Sequence, residues 1–240
     1  GMSLDDALRQ SAITADVEMK TGNTKENKIY FAHRQLSDAD IYFIANRKDS
    51  EEKNTFTFNS FGEEVQLWHP VTGERYALNI KSKTKEKTSV ELYMNPRESF
   101  FIIITKKEEN LPFLNFKSVT DEEVITGSWN VFFSPEKGGP GNVVFDDLFD
   151  WTKSEVPGIK YYSGTAIYKK NINVHLDNDK SIYLDIGNPN FVAQVFINSQ
   201  DAGVIWCSPW SVDITKYLQE GNNQIEIHVA NSLMNRMIYD

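Results

Sequence analysis

Apolar positions follow a helical spacing at the start of the chain and then, for most of its length, alternate. In Ser3-Leu-Asp-Asp-Ala-Leu-Arg-Gln10 the side chains of Leu4, Ala7 and Leu8 share one face, Ser3 can cap, and acids occupy the first turn. That pattern predicts a short helix. Residues 11–26 are polar and read as a connector. From Ile29 the period becomes two: Ile29, Phe31 and His33 alternate with Tyr30, Ala32 and Arg34. Asp40–Asn46 is a nearly continuous apolar strand, Thr55–Phe58 alternates, and Val65–Trp68 is followed by the turn His69-Pro-Val-Thr-Gly73. Arg75–Ile80, Ser89–Met94 and Phe100–Thr105 bring the total to about seven short strands, a rhythm that predicts a β-sandwich. The lysines at 81, 83, 85 and 87 read as a solvated strand edge on either side of a turn.

A boundary is expected near Lys117–Glu123, a polar and acidic stretch between two strand runs. The division is then residues 1–26 for helix and connector, 27–118 for a sandwich spacer domain, and 119–240 for a second sandwich. Val124–Phe133 opens the second as a long strand. Pro135-Glu-Lys-Gly-Gly-Pro-Gly141 reads as a flexible loop; it lacks the Gly-Lys-Ser/Thr ending of a phosphate loop. Residues 146–153 are expected as a short helix with Leu148 and Trp151 on one face. Ile159–Val174 reads as strand with a bulge near Gly164, and further strands are expected at 181–186, 192–198, 203–206 and 223–230. Asp213–Leu218 is one capped helical turn closed by Gly221. Strand, helix, strand repeats are absent, so a (β/α)8 barrel is excluded, and the fold class is all-β: two β-sandwiches, the second of jelly-roll character.

Composition narrows the function classes. The 240 residues carry 25 basic and 34 acidic side chains, a net charge of −9 that disfavours nucleic acid as a partner. The imbalance is uneven: net −1 over residues 1–119 and −8 over 120–240, where four of the five tryptophans also fall. Mean hydropathy is −0.46, and no apolar run approaches the length a bilayer needs, so no membrane partner is expected. Cys207 is the only cysteine, which excludes an intrachain disulfide and CxxC chemistry; the four histidines lack metal-site spacing. The N-terminus has no basic region or apolar core of a signal peptide, and Gly1 before Met2 reads as a scar of tag cleavage, which leaves two alternatives, a leader removed or a piece of a longer chain.

An ordered set of short motifs carries a family resemblance. Gly127-Ser-Trp129, Tyr162-Ser-Gly-Thr-Ala-Ile-Tyr168, Tyr183-Leu-Asp-Ile-Gly187, Ala193–Asn198, Gly203-Val-Ile-Trp206, Pro209-Trp210 with Asp213-Ile-Thr215, and Gly221 with Asn223 resemble the sugar-binding, galactose-binding-like domain of family 2 glycoside hydrolases. Over the whole chain, Ser3–Leu8, His33-Arg34, Asp40–Asn46, Leu67-Trp68 with Pro70–Glu74, Phe149-Asp-Trp151 with Gly158–Gly164, and Asn231 with Asn235-Arg236 and Asp240 resemble the C-terminal region of family 106 α-L-rhamnosidases. That resemblance implies β-sandwich modules that accompany a catalytic barrel, so the family's catalytic acids have no counterparts here. Asn198-Ser199 stands where the family has Asn-Gly, and Tyr239 where it has Gly.

The residues themselves give no catalytic assignment. Asp146, Asp147, Asp150 and Glu155 cluster in sequence, but a glycosidase needs two carboxyls facing each other across a sugar, and four acids on a loop read as a solvated surface. Asp177-Asn-Asp179 offers oxygens for a structural calcium ion, although a hairpin turn is the simpler explanation; no other cofactor or metal is implied. Sugar recognition wants an aromatic platform with Asn, Asp or Arg beside it. Trp151 and Trp206 adjoin loops; Trp210 and Tyr161 are the further aromatic candidates; Asn231 and Arg236 either bond to sugar or tie down the C-terminal loop. Trp129, in an alternating strand, reads as core.

The expected function is non-catalytic: an accessory, carbohydrate-binding region of a rhamnosidase-like glycoside hydrolase. Its partners would be a plant or bacterial polysaccharide or oligosaccharide and, in a longer chain, a catalytic barrel. Its location would be periplasmic or extracellular. A structural or interaction module without sugar affinity, and a stand-alone glycosidase, are the alternatives.

Overall fold

The computed structural model describes residues 10–11, 14–19, 28–114, 116, 119–177 and 179–239. Residues 3–9, where the N-terminal helix is expected, lie outside these. The chain divides into two compact units, Gly1–Val119 and Thr120–Asp240.

The first unit is built from β1 (Val17–Met19), β2 (Ile29–Gln35), β3 (Ala39–Asn46), β4 (Glu52–Phe58), β5 (Glu64–Trp68), β6 (Arg75–Ala77), β7 (Ile80–Lys83), β8 (Thr88–Met94) and β9 (Ser99–Thr105). They form two antiparallel sheets of order β2-β3-β9-β5-β6 and β1-β4-β8-β7. Alternation decides which side faces inward. On β3, Tyr42 and Ile44 are buried, and on β4, Phe56 and Phe58; the two sets belong to one core shared by both sheets. Each such side chain contributes about 1.5–3 kcal/mol on burial. The expected lysine edge is a sheet edge: β7 lies at the end of its sheet, and Lys81, Lys83 and Lys87 pair with Glu91, Glu63 and Glu18.

The second unit contains β10 (Trp129–Phe133), β11 (Gly141–Phe145), β12 (Thr165–Val174), β13 (Tyr183–Asp185), β14 (Val192–Ile197), β15 (Gln200–Ile205), β16 (Ser211–Asp213) and β17 (Gly221–Ala230). Six form one antiparallel sheet, β11-β10-β12-β17-β14-β15, and β13 pairs with β16. Val131, Phe133, Ala193, Val195 and Ile225 from the large sheet share a core with Leu184 of the small one. This is a sandwich of unequal layers, and the chain as a whole is all-β.

Three local expectations are corrected. Residues 146–153 do not form a helix with Leu148 and Trp151 on one face. Instead Asp150 caps a single 3-10 turn at Trp151–Lys153, Leu148 is 59% exposed, and Trp151 is 8% exposed. The bulge is not at Gly164, which precedes β12; the register slips between Val195 and Phe196, opposite Gly203 with φ 127°. The loop 135–141 is a built turn, with a 3-10 segment at Pro135–Lys137 and Gly138 in the left-handed region at its end.

Candidate functional site

Strand register determines where the loops of the second unit gather. Phe133 pairs with both Gly141 and Ala166, Thr165 and Val192 both pair with Ala230, and Ala193 pairs with Ile205. The segments 134–140, 161–164, 186–191, 206–210 and 231–233 therefore leave the large sheet at the same end. Tyr161, Trp206, Trp210, Asn231 and the helix Met234–Tyr239 that carries Arg236 all belong to or follow these segments. Five of the six residues expected at a sugar site are thus brought to one end of the sandwich.

Their environments differ. Trp206 follows the last residue of β15 and is 58% exposed, which suits a platform. Trp210 is partly buried and packs against the core, its carbonyl accepting a bond from the Ile186 amide. Trp151 is a core side chain and not a platform. Its ring meets those of Phe133 and Tyr162 edge-on at 5.2 and 5.9 Å, and its indole N–H donates to the Tyr168 hydroxyl at 2.5 Å. Burial pushes the Tyr168 hydroxyl up to about 12, so it remains a neutral phenol.

Asn231 is a tie. Its Oδ1 accepts from the Gly164 amide at 2.9 Å and its Nδ2 donates to the Tyr162 carbonyl at 2.8 Å. Ser163 extends the tie: its hydroxyl donates to the Ser232 carbonyl and accepts from the Arg236 amide, each at 3.1 Å. The Tyr162 hydroxyl donates to the Thr165 carbonyl and accepts from the Ser134 amide, both at 3.1 Å. Three loops are in this way fastened to one another by hydrogen bonds, all half-buried except the exposed one to the Arg236 amide.

Beside this tie lies a cavity of about 70 Å³ lined by Lys137, Gly138, Pro157, Gly158, Tyr161, Tyr162 and Arg236. Two of the six expected residues, Tyr161 and Arg236, meet here. Lys137 and the glycines were not anticipated as site residues; their sequence signals were the Pro135–Gly141 run and, for Gly158, the Gly158–Gly164 motif. A Cβ on Gly158 would lie 2.9 Å from the Gly138 carbonyl oxygen, and one on Gly139 would lie 2.6 Å from the Phe133 Cβ. Glycine is required because backbone meets backbone at these points.

The acidic cluster has structural occupations. Asp150 accepts from the Thr152 amide and hydroxyl at 3.0 and 2.8 Å, and those bonds hold its carboxyl below the usual range. Asp146 accepts from the Ser128 hydroxyl at 2.9 Å. Asp146 and Asp147 line an open groove of about 460 Å³ whose other walls are mainly apolar, from Val143, Val144, Phe145, Phe149, Val156 and Ile159. Asp177 accepts from the Asp179 amide in a local turn, with Lys180 4.0 Å away. Among the described residues no group of three or more His, Cys, Asp or Glu is placed to hold a metal ion. Among them, too, no helix is long and apolar enough to cross a membrane.

The fold is an all-β pair of sandwiches, and comparison with known proteins relates it to glycoside hydrolases. Residues 1–82 match the family model described as alpha-L-rhamnosidase. The solved structure of a rhamnosidase from Novosphingobium sp. PP1Y superposes with a TM-score of 0.82 at 30% identity, over 98% of this chain and 22% of that one. A curated protein of Formosa agariphila, named "Putative beta-glucuronidase", is 32% identical over 208 residues, which are 80% of this chain and 17% of that protein. The chain thus spans about a fifth of the length of these relatives, and its resemblance to the rhamnosidase extends over nearly all of it.

Proposed function

We propose that this chain is an accessory, non-catalytic region of a glycoside hydrolase resembling α-L-rhamnosidases, with the first unit as spacer and the second, a galactose-binding-like jelly roll, as a glycan-binding module. The observation that carries the reading is the match of 98% of the chain to 22% of a rhamnosidase at 30% identity. A TM-score of 0.82 over that span supports reading the chain as the counterpart of one piece of a larger hydrolase. The glycan site is the loop end of the second unit. Trp206 supplies the platform there, and the Asn231 tie fixes three other loops of the same end, so that ligand contacts with those loops order little further chain. The glycan is of plant or bacterial origin, the partner within a longer protein is a catalytic barrel, and the place of action is the periplasm or outside the cell.

A second reading follows from one observation. Leu233, Met234, Met237 and Ile238 are 70%, 63%, 73% and 71% exposed, a contiguous apolar face at and along a helix of six residues. A module that only docks on protein would present such a face.

Calorimetric titration of the chain with rhamnose-containing and glucuronate-containing oligosaccharides, alongside hydrolysis of the nitrophenyl glycosides, tests both. Binding on the order of mM to tens of μM without turnover supports the glycan module. Absence of binding at mM sugar overturns it in favour of the docking module, and turnover that survives repurification overturns the non-catalytic assignment.

A further inference from the structure

We infer that the open edge of β11, with the apolar groove beside it, receives an extended segment of a protein partner, one that alternates apolar and polar residues and carries lysine or arginine at its ends. The inference does not depend on the glycan-binding reading.

The edge itself is the first argument. β11 ends the large sheet and, among the described residues, pairs with β10 alone. Its far side therefore presents backbone N–H and C=O groups to which a further strand can be added. Other edges of this molecule are guarded. β7 carries Lys81 and Lys83, and β15 carries Asp201 and the register slip opposite Gly203. Within Gly141-Asn-Val-Val-Phe145 there is no charge, no proline and no register slip. An edge left regular and uncharged suits a strand that pairs with it.

The groove is the second. Alternation puts Val143 and Phe145 on the core side of β11 and Val144 on the outer side, where it is 62% exposed. The groove of about 460 Å³ continues the core side outward with Phe149, Val156 and Ile159. Phe149 lies against Phe145, with 4.6 Å between ring centroids, and Val156 is 47% exposed. A strand laid along β11 would point every second side chain into this groove. Apolar side chains there would cover Phe149 and Val156, and polar ones at the alternate positions would stay in water.

Charge is the third, and it chooses the occupant. Residues 146–156 hold Asp146, Asp147, Asp150 and Glu155 against Lys153. Asp146 and Asp150 are committed to Ser128 and Thr152. Asp147, which lines the groove, and Glu155 make no hydrogen bond or ion pair with any described residue. A cation at the end of the docked segment meets these carboxylates. A second copy of this chain brings none on its own edge: β11 has no basic residue, and two units with 16 acidic against 8 basic side chains repel each other. One added strand buries less than a standard interface, so the contact is weak and reversible.

The test is titration of the whole chain, followed by amide NMR, with a blocked heptapeptide that alternates valine and threonine and has lysine at each end. A dissociation constant on the order of 10–100 μM is expected, with shifts at residues 141–149 and 154–159 and slowed exchange of the β11 amides. The same peptide with glutamate at its ends should bind roughly tenfold more weakly at low salt, and one with proline at its centre should not bind at about 1 mM. Asp147→Lys should weaken the lysine peptide about fivefold and Val156→Lys about tenfold. Both side chains are exposed, so melting curves of both variants should match the parent. Failure of the lysine peptide to bind at about 1 mM, shifts confined to other residues, or equal binding of the lysine and glutamate peptides each overturns the proposal. Self-association of the free chain that Val156→Lys abolishes would assign the edge to a second copy and overturn a partner of different chemistry.

Discussion

The two units close their aromatic cores in different ways. In the first, Tyr42, Phe56 and Phe58 are fully buried between two sheets of five and four strands, so the layers cover each other and the aromatics fill the middle. In the second, a six-stranded sheet faces a two-stranded one, and the small layer is completed by loops and 3-10 turns. Its aromatics run from the centre outward: Phe133 is inaccessible, Trp151 and Tyr168 are just covered, Trp210 is half-buried, and Trp206 is at the rim. A sandwich with two complete sheets closes its core with strands alone. A sandwich with one short sheet must recruit loops, and those loops then have to be hydrogen-bonded in place. That requirement creates the rigid loop end on which a binding site can be built.

By this contrast Trp151 and Trp206 are opposites although both adjoin loops in sequence. Trp151→Ala should give the largest effect, costing about 3–5 kcal/mol through the cavity left beneath the 3-10 turn and the lost bond to Tyr168. Its melting temperature should drop by roughly 10 °C or more. Trp206→Ala should shift stability by less than about 0.5 kcal/mol and remove sugar affinity. Four of the five tryptophans lie in the second unit, so fluorescence-detected melting reads it directly. Early unfolding of the Trp206 variant would erase the distinction between core and rim.

Next in size is the tie itself. Asn231→Ala leaves the Gly164 amide and the Tyr162 carbonyl without their partner, at a cost of about 1–3 kcal/mol. Amide exchange should accelerate at 161–165 and 231–236 before the sheet is affected. Uniform acceleration across β12 and β17 would mean that the loop end has no independent anchoring.

The first unit should show its closed core in a pH response. Glu98 is 7% exposed and accepts the Asn95 amide at 2.7 Å; burial pushes its carboxyl above the ordinary value of 4.5. Above that value the unfolded chain gives up this proton while the folded chain keeps it. The unfolded state then binds fewer protons, and stability falls as pH rises, until the folded carboxyl also ionises. Glu98→Gln should abolish this decline and raise stability at neutral pH. A urea-denaturation series from about pH 4 to pH 7 on both proteins checks it; parallel curves would refute the assignment.

Most of the strand plan was legible because period-two alternation and turn residues act locally. β3, β4, β8 and β9 fall close to where alternation places them, since each has one face on a dry core. Trp151 was illegible for the converse reason. A single 3-10 turn has too few residues to show a period, and its burial depends on Phe133 and Tyr162 arriving from elsewhere. The bulge was misplaced because Gly164 and Gly203 both punctuate strands, and only pairing tells which one disturbs a ladder. The small cavity was half visible. Tyr161 and Arg236 were marked as sugar-site candidates and Gly158 as part of a resemblance motif, but Lys137 joins them through loop packing that no local pattern encodes.

The smallest effect separates the units at a single backbone conformation. Ser199 has φ 65° beside Asn198 at 51°, in the two-residue turn between β14 and β15; Arg97 has φ 61° in the first unit. Both are L residues in the left-handed region, where glycine avoids the Cβ contact. Asn-Gly is the favoured pair for such a hairpin. Ser199→Gly should therefore stabilise the second unit by about 0.5 kcal/mol, the relief of strain being partly offset by the greater freedom of the unfolded chain. Arg97→Gly relieves the same strain but removes the two bonds from Nε and Nη2 to Asp49, at 2.7 and 2.9 Å. That ion pair is exposed, so its loss is screened and the net change should be near zero at high salt and unfavourable at low salt. Thermal melts of both variants at two salt concentrations measure this. A salt-independent gain in each would show that the Arg97 turn is held by backbone geometry alone, and an unstable Ser199→Gly would show that its hydroxyl carries a bond worth more than the strain.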